Sequence, residues 1–242
     1  MTNAELDDLL IKRFLQTQNV SGRMRLKIAA RWKQISWRII VSFALFLKRT
    51  FDVVASFLFL VIFSPLFLLI AILIKIEDGG PVFFPQTRVG RFGREFKMWK
   101  FRSMCLDAEA KMKELLAQNQ HKDGVTFKIK NDPRITRIGK WLRKFSLDEL
   151  PQFFNVLIGN MSLVGPRPPL PREVALYTLA DRRRLAMTPG ITCFWQISGR
   201  SEIDFSGQVQ LDVRYIESQS FWLDIKILVK TVPAVLFSKG AY

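Results

Sequence analysis

Residues 53–74 read VVASFLFLVIFSPLFLLIAILI, 22 consecutive positions without a charge, and no other feature constrains the chain as strongly. A helix of that length reaches across the hydrocarbon core of a bilayer. About 50 residues precede the run and no small-residue cleavage site follows it, so it does not read as a signal peptide. Ser64-Pro65 falls at its middle, where proline removes a helix hydrogen bond and clashes with the preceding turn. Both flanks are basic: ten Lys and Arg lie in residues 1–52, and Lys75, Arg88, Arg91, Arg94, Lys97, Lys100 and Arg102 follow the run. Positive charge favours the cytoplasmic side, so a straight span would force one basic flank across. A helix that enters, breaks at Ser64-Pro65 and leaves on the same side satisfies both flanks. The Ser64 hydroxyl is then available to backbone groups freed at the break. A proline-kinked single span is the alternative.

Composition narrows what surrounds this segment. The chain has 242 residues, enough for one sizeable domain with an appendage. It carries 37 Lys+Arg against 21 Asp+Glu, a formal net charge of +16, with 49% hydrophobic residues. Disordered basic tails lack apolar residues for a core and are excluded. Nucleic-acid binding and residence at an anionic membrane surface both fit such a balance. Two cysteines, Cys105 and Cys193, imply no disulfide framework, and the single His121 leaves almost no material for a zinc site or histidine catalysis. Chemistry must rest on carboxylates, Arg and Lys.

The expected architecture is α+β and predominantly helical, a monotopic membrane protein with a Ser-Pro-broken re-entrant helix, a small β-hairpin and interfacial amphipathic helices. Residues 1–47 read as a basic amphipathic helical extension, with Thr2 and Glu5 at capping-box spacing. Residues 48–78 carry the re-entrant helix, and 79–242 a cytoplasmic catalytic domain. Within the extension, residues 22–47 interleave Arg and Lys with Leu26, Ile28, Trp32, Ile35, Trp37 and Ile39. Near the end, Phe221, Trp222, Ile225 and Leu228 recur at helical spacing, with Asp224, Lys226 and Lys230 at other positions. Either stripe could equally pack on a protein core. VFFPQTR and REFKMWKF flank a turn holding Gly90 and Gly93, which predicts a hairpin. Residues 105–119 read as a surface helix. Residues 134–145 read as another, with Ile135, Ile138, Trp141, Leu142 and Phe145 on one side.

That basic stretch leads into SLDELPQFFNVLIGNMSLVGPRPPLP, residues 146–171. Ser146 and Glu149 stand at capping-box spacing and Pro151 marks a first helical turn, so capping alone would account for Glu149. Asp148 has no such duty. The positive end of a helix dipole favours its ionised form, and an ionised aspartate is a competent nucleophile toward phosphorus. Capping and solvation remain the bland account. Pro166, Pro168, Pro169 and Pro171, four of the eleven prolines, stiffen the loop around Arg167. A rigidly held guanidinium suits phosphate oxygens, unless it merely faces solvent. TPGITCFWQISGR (188–200) either presents Arg200 or packs Phe194 and Trp195 in a core. Gly159 and Gly165 are wrongly spaced for a Walker loop.

At these residues the chain resembles the bacterial sugar transferases, also called polyisoprenyl-phosphate hexose-1-phosphate transferases or small monotopic phosphoglycosyl transferases. The matching elements are KRTFDVV (48–54), the Ser64-Pro65 break, QTRVGRFGREFKMWKFRSM (86–104), NDPRITRIGKWLRKFSLDELPQ (131–152), GNMSLVGPRP (159–168), TPGIT with QISGR, and LDVRYIE (211–217). They span roughly the last four-fifths of the chain. The resemblance implies an enzyme that moves hexose 1-phosphate from a UDP-sugar to undecaprenyl phosphate and releases UMP. It acts at the cytoplasmic face of a bacterial inner membrane and bears no relation to nucleic acid. By the same resemblance Asp148 is the nucleophile and forms an aspartyl-phosphosugar in a ping-pong cycle, and Glu149 is a Mg²⁺ ligand. Lys100, Arg143, Arg167 and Arg200 match basic positions, with Pro166 and Pro168 framing Arg167. Asp212 matches an acidic position and is a second candidate for the metal. The closing GRSEIDF and Gly-Ala-Tyr look like relatives in exopolysaccharide assembly that handle glucose or galactose 1-phosphate. The N-terminal helix has no counterpart in minimal members and is available for a homodimer. Competing readings are a membrane-anchored basic binding or scaffold protein without catalysis, and a metal-dependent phosphatase of the polyprenyl carrier.

Overall fold

The computed structural model describes residues 11–12, 14–15, 18, 20–108, 110–111, 132–198 and 203–236. The chain divides between Thr50 and Phe51 into two units. The helix expected over 22–47 does not stop there: α1 (Val20–Ile62) runs for 43 residues. No glycine or proline occurs between Arg23 and Ser64, so nothing in that stretch breaks the helical ladder. In the first unit Ile28, Trp32, Ile35, Ile39 and Phe43 are all exposed. Thr2 and Glu5 lie outside the described residues, as does most of the helix expected over 105–119.

In the second unit α1 ends at the expected break, and α2 (Ser64–Asp78) continues at a bend of 60°. The local chemistry explains where. Pro65 has no N–H to give the Val61 carbonyl four residues back, and the Ser64 hydroxyl donates to that carbonyl instead, at 2.8 Å. Among the described residues no single helix is long and apolar enough to cross a membrane, whereas this bent pair passes that test together by length and composition. Gly79 closes α2 in the left-handed region (φ 70°), its N–H bonding the Lys75 carbonyl at 3.0 Å.

The predicted hairpin is present. β1 (Phe83–Val89) and β2 (Glu95–Phe101) pair antiparallel, with Phe83 opposite Phe101 and Val89 opposite Glu95. Phe92 (φ 57°) and Gly93 (φ 79°) are both left-handed, as a tight hairpin turn requires. Next comes α3 (Arg137–Lys144), whose first free N–H groups are met from two directions. Thr136 accepts from Gly139 N at 2.9 Å, and Glu77 at the end of α2 accepts from Ile138 N at 3.1 Å. Only part of the expected apolar side is buried: Leu142 packs inward, Trp141 is exposed, and Ile135 precedes the helix, bridged to Met104.

The remaining elements are short until the end: α4 (Gln152–Leu157), β3 (Ser162–Val164), α5 (Pro171–Ala175), β4 (Gly190–Thr192), α6 (Phe194–Ser198), α7 (Phe205–Ser218) and α8 (Phe221–Leu236). β3 and β4 form a second, parallel two-stranded sheet that the sequence reading missed. Strands of three residues carry too little alternation to be seen. The fold is therefore α+β and predominantly helical. Its larger core joins Met98, Val156, Met161, Leu163, Val164, Tyr215 and Ile227; a smaller one joins Ile70 and Ile74 of α2 to Phe101 and Leu142. In α8 the expected polar position Asp224 is buried, because Tyr215 Oη donates to it at 2.6 Å, and Ile227 is the fully buried apolar contact. Trp222 stays exposed.

Candidate active site

Asp148 and Glu149 do not sit on a capped α-helix. Leu147–Glu149 form a single 3-10 turn after Ser146, which is left-handed (φ 54°) and makes no side-chain cap. The capping-box reading of Ser146 and Glu149 thus fails, since such a box needs an extended residue ahead of a regular helix. Glu149 instead accepts from Lys100 Nζ at 2.6 Å through Oε1. Burial works against its charge, but Lys100, then Arg167 and Arg88, outweigh it and hold the carboxyl below the usual range. Asp148 behaves oppositely. It is 7% exposed, and burial pushes its pKa up, with Lys100 and Arg143 pulling back and Glu149 adding to the rise. The helix-dipole expectation for this residue is overturned: a one-turn 3-10 segment offers too little dipole to offset desolvation.

Lys100 reaches the pair because β2 is pinned to α4. The fully buried Asn155 gives Nδ2 to the Lys97 carbonyl at 2.7 Å and accepts from Trp99 N at 2.9 Å, so its amide serves β2 as a third strand would. Beyond Lys100, Arg102 is paired with Asp78 at the end of α2. A Cβ on Gly80 would fall 1.7 Å from the Arg102 guanidinium, so that side chain would have to shift to admit one.

The opposite wall is the proline-framed loop. Gly165 N bonds the Thr192 carbonyl at 3.0 Å, and the buried Pro166 offers its carbonyl to Gly190 N at 2.9 Å. Gly165 and Gly190 lie so close that a Cβ on Gly190 would meet Gly165 N at 2.1 Å. Arg167 emerges from this lock with Glu173 3.6 Å away. A cleft is lined by Lys100, Glu149, Gln152, Arg167, Pro168 and Gln196, with Met98 and Ile191 as apolar surface. Arg88 completes it. The sequence pointed to that residue only as part of the basic flank and of the QTRVG motif, not as a site residue. Its signal was an Arg two residues from the hairpin turn with no acid nearby in sequence.

Of the expected site residues, the structure brings Lys100, Glu149, Arg167 and Pro168 to one cleft, with Asp148 next to Glu149 and Pro166 locked behind. Arg143 points its Nε to Ser103 Oγ at 2.9 Å, although its charge still acts on Asp148. Arg200 lies outside the described residues. Asp212 is elsewhere: it has no exposure, does not line the cleft, and is paired with the buried Arg184 from the 3-10 turn Asp181–Ala186. Burial pushes its carboxyl up to about 6 against the pull of Arg184.

Among the described residues no cluster of three His, Cys, Asp or Glu could hold a metal. Mg²⁺ needs less: one or two carboxylates, with water and substrate phosphates as the other oxygen ligands. Glu149 lines the cleft with Oε1 on Lys100, and a single carboxylate of this kind is a donor that ion takes.

A carboxylate set among Lys and Arg in a small polar cleft is chemistry suited to a phosphate-bearing ligand. The chain belongs to the bacterial sugar transferase family, whose family model matches residues 43–238. It is 51% identical over 195 residues to the galactosyl transferase CpsE of Streptococcus agalactiae serotype III, covering 80% of this chain and 43% of that protein. Against the undecaprenyl-phosphate galactose phosphotransferase of Salmonella typhimurium it is 47% identical over 203 residues, 81% of this chain and 42% of the other. The exopolysaccharide production protein ExoY of Rhizobium meliloti is 44% identical over 198 residues, 81% of this chain and 88% of its own length. The chain thus spans less than half of the first two relatives and most of the third.

Proposed function

We propose that this chain transfers hexose 1-phosphate from a UDP-sugar to undecaprenyl phosphate and releases UMP, as an early membrane step of exopolysaccharide assembly. The observation that carries this is Glu149 set among Lys100, Arg88 and Arg167 in one cleft, with the buried Asp148 beside it under the charges of Lys100 and Arg143, within the family-matched region. Galactose is the first sugar to try, since two of the relatives above are named for it; glucose is the other.

In this reading the Asp148 carboxylate attacks the sugar-proximal phosphorus of the donor. The bond from that phosphorus to the bridging oxygen breaks, and the oxygen leaves with UMP. A phosphate oxygen of the lipid then attacks the same phosphorus, and the Asp148 carboxylate departs. Burial makes that carboxylate a stronger base than an ordinary aspartate, while Lys100 and Arg143 favour its ionised form. Arg167, braced by prolines, offers its fork to the phosphoryl oxygens with little entropy to lose. Glu149 would hold Mg²⁺, which when bound supplies charge neutralisation to the diphosphate. Asp212 is not carried forward as a metal ligand, because Arg184 engages its carboxylate.

We also read the protein as monotopic, on the cytoplasmic face of the bacterial inner membrane, with α1 and α2 re-entering rather than spanning. The 60° bend, the basic flanks and the apolar outer faces of both helices support that reading. The test is UMP release by the full chain in lipid nanodiscs, given UDP-galactose or UDP-glucose, Mg²⁺ and undecaprenyl phosphate. Turnover should need the lipid and vanish with chelator. Asp148→Asn should lose on the order of 10³-fold or more in rate. Without acceptor, a burst of at most one UMP per chain is expected; silence across a wider UDP-sugar panel would sink the proposal.

A further inference from the structure

We infer that Arg88 is a phosphate-binding residue of this cleft, a third cation alongside Lys100 and Arg167; the inference rests on the phosphoryl-transfer reading above and adds to it a residue and a role. Arg88 is 6% exposed and comes from β1, not from the loops that carry Arg167 or Asp148. All its hydrogen bonds go to neutral groups. Nε and Nη2 donate to Gln86 Oε1 at 3.0 and 2.7 Å, and Nη1 donates to the Pro168 carbonyl at 2.9 Å. A guanidinium has five N–H donors, so two remain without an acceptor among the described residues.

A buried cation held only by neutral groups is costly, and an apolar side chain would fill the same space more cheaply. Burial, and then the neighbouring Arg167, lower its pKa to about 9, which leaves it charged at neutral pH. The like-charged neighbour compounds the cost. Arg88, Lys100 and Arg167 line the cleft; Lys100 is engaged by Glu149 and Arg167 has Glu173 3.6 Å away. Arg88 has no ion pair among the described residues, although Glu173 and Glu149 act on it at longer range. The cation left over suits an anionic ligand group, such as a phosphate of the donor diphosphate. Placement is coordinated as well: Pro168 receives Arg88 Nη1, and Val89 N bonds the Pro169 carbonyl at 2.8 Å. Arg88 and Arg167 therefore enter the cleft as one unit, and an anion between them relieves their repulsion.

The same chemistry could be met by the donor diphosphate or by the lipid phosphate, and two sets of measurements separate these from a structural role. Calorimetric titration of the full chain with inorganic pyrophosphate, without metal, should give a Kd about ten-fold or more weaker for Arg88→Met than for the natural chain. Arg88→Lys keeps the charge but cannot span Gln86 and Pro168, and should fall between the two. In turnover, kcat/KM for the UDP-sugar should fall with Arg88→Met, while kcat/KM for undecaprenyl phosphate marks any share belonging to the acceptor. Folded variants with the natural chain's Kd and both kcat/KM values would overturn the inference, as would a natural chain that does not bind pyrophosphate. Should Arg88→Met fail to fold, Arg88→Lys decides by the same criteria. Pyrophosphate binding that depends on Arg88 in a chain that turns over no UDP-sugar would leave Arg88 assigned and defeat the transferase reading instead.

Discussion

Residues 51–78 turn Asp52 and Ser56 inward, and expose Val54, Phe57, Leu58, Val61, Leu68, Leu69 and Ile72. The body that begins at Phe83 closes Met98, Val156, Met161, Val164 and Ile227 inside and leaves most of its Lys and Arg outside. The helix pair buries Ile70 and Ile74 as well, so the two regions differ in what they leave outside rather than in what they bury. Water sorts side chains in the body, where apolar area is removed from solvent. One inner contact of the helix pair is polar: Asp52 accepts from Leu163 N at 3.2 Å. An apolar outer face with a mixed inner one suits hydrocarbon, where helices associate through packing and hydrogen bonds.

The largest test falls on the body. Asp212→Asn strands the buried Arg184 charge and should cost about 3–5 kcal/mol of stability, read as a loss of melting temperature. A double replacement with Arg184→Met should recover much of it. A small effect for the single variant would mean the body tolerates inward charge as the helix pair does. Next, Leu69→Asp places a charge on the outer face of α2. If that face meets lipid, partition onto liposomes should weaken by about 10²-fold, from roughly 3 kcal/mol per mid-bilayer charge. Unchanged partition would remove the contrast. Asn155→Ala leaves two groups of β2 without their partner and should cost about 1–3 kcal/mol, with turnover falling as Lys100 loosens. The smallest effect is expected at the bend: Ser64→Ala frees one carbonyl and should cost about 1 kcal/mol by thermal unfolding.

The two regions also differed in how far the sequence disclosed them. The helix break, the hairpin and the final helix were legible, because each is set by local chemistry: Pro65, the Gly90 and Gly93 turn, and apolar periodicity. Family motifs then pointed to Asp148, Glu149, Lys100 and Arg167; the last three line one cleft, and Asp148 is buried beside Glu149. What escaped was non-local. β3 and β4 are three residues each and find one another across 25 intervening positions, from Val164 to Gly190. Asn155 reads as an ordinary helix residue until β2 is laid beside it. Ser146 misled because spacing alone cannot reveal a left-handed residue, and burial at Asp148 reversed a charge argument that was sound for an exposed helix.

The exit from α2 acts as a gauge block. Glu77 meets the start of α3, Asp78 meets Arg102, and Arg102 stands two residues from Lys100. Inserting one residue in α2 would advance that exit by about 1.5 Å and rotate it by about 100°, so neither acidic side chain could find its partner. Insertions or deletions near whole turns would restore the facing but shift the cleft's height by a turn at a time. The length of α2 is therefore quantised by the contacts at its end, and drift in this helix should proceed by substitution while its residue count stays fixed.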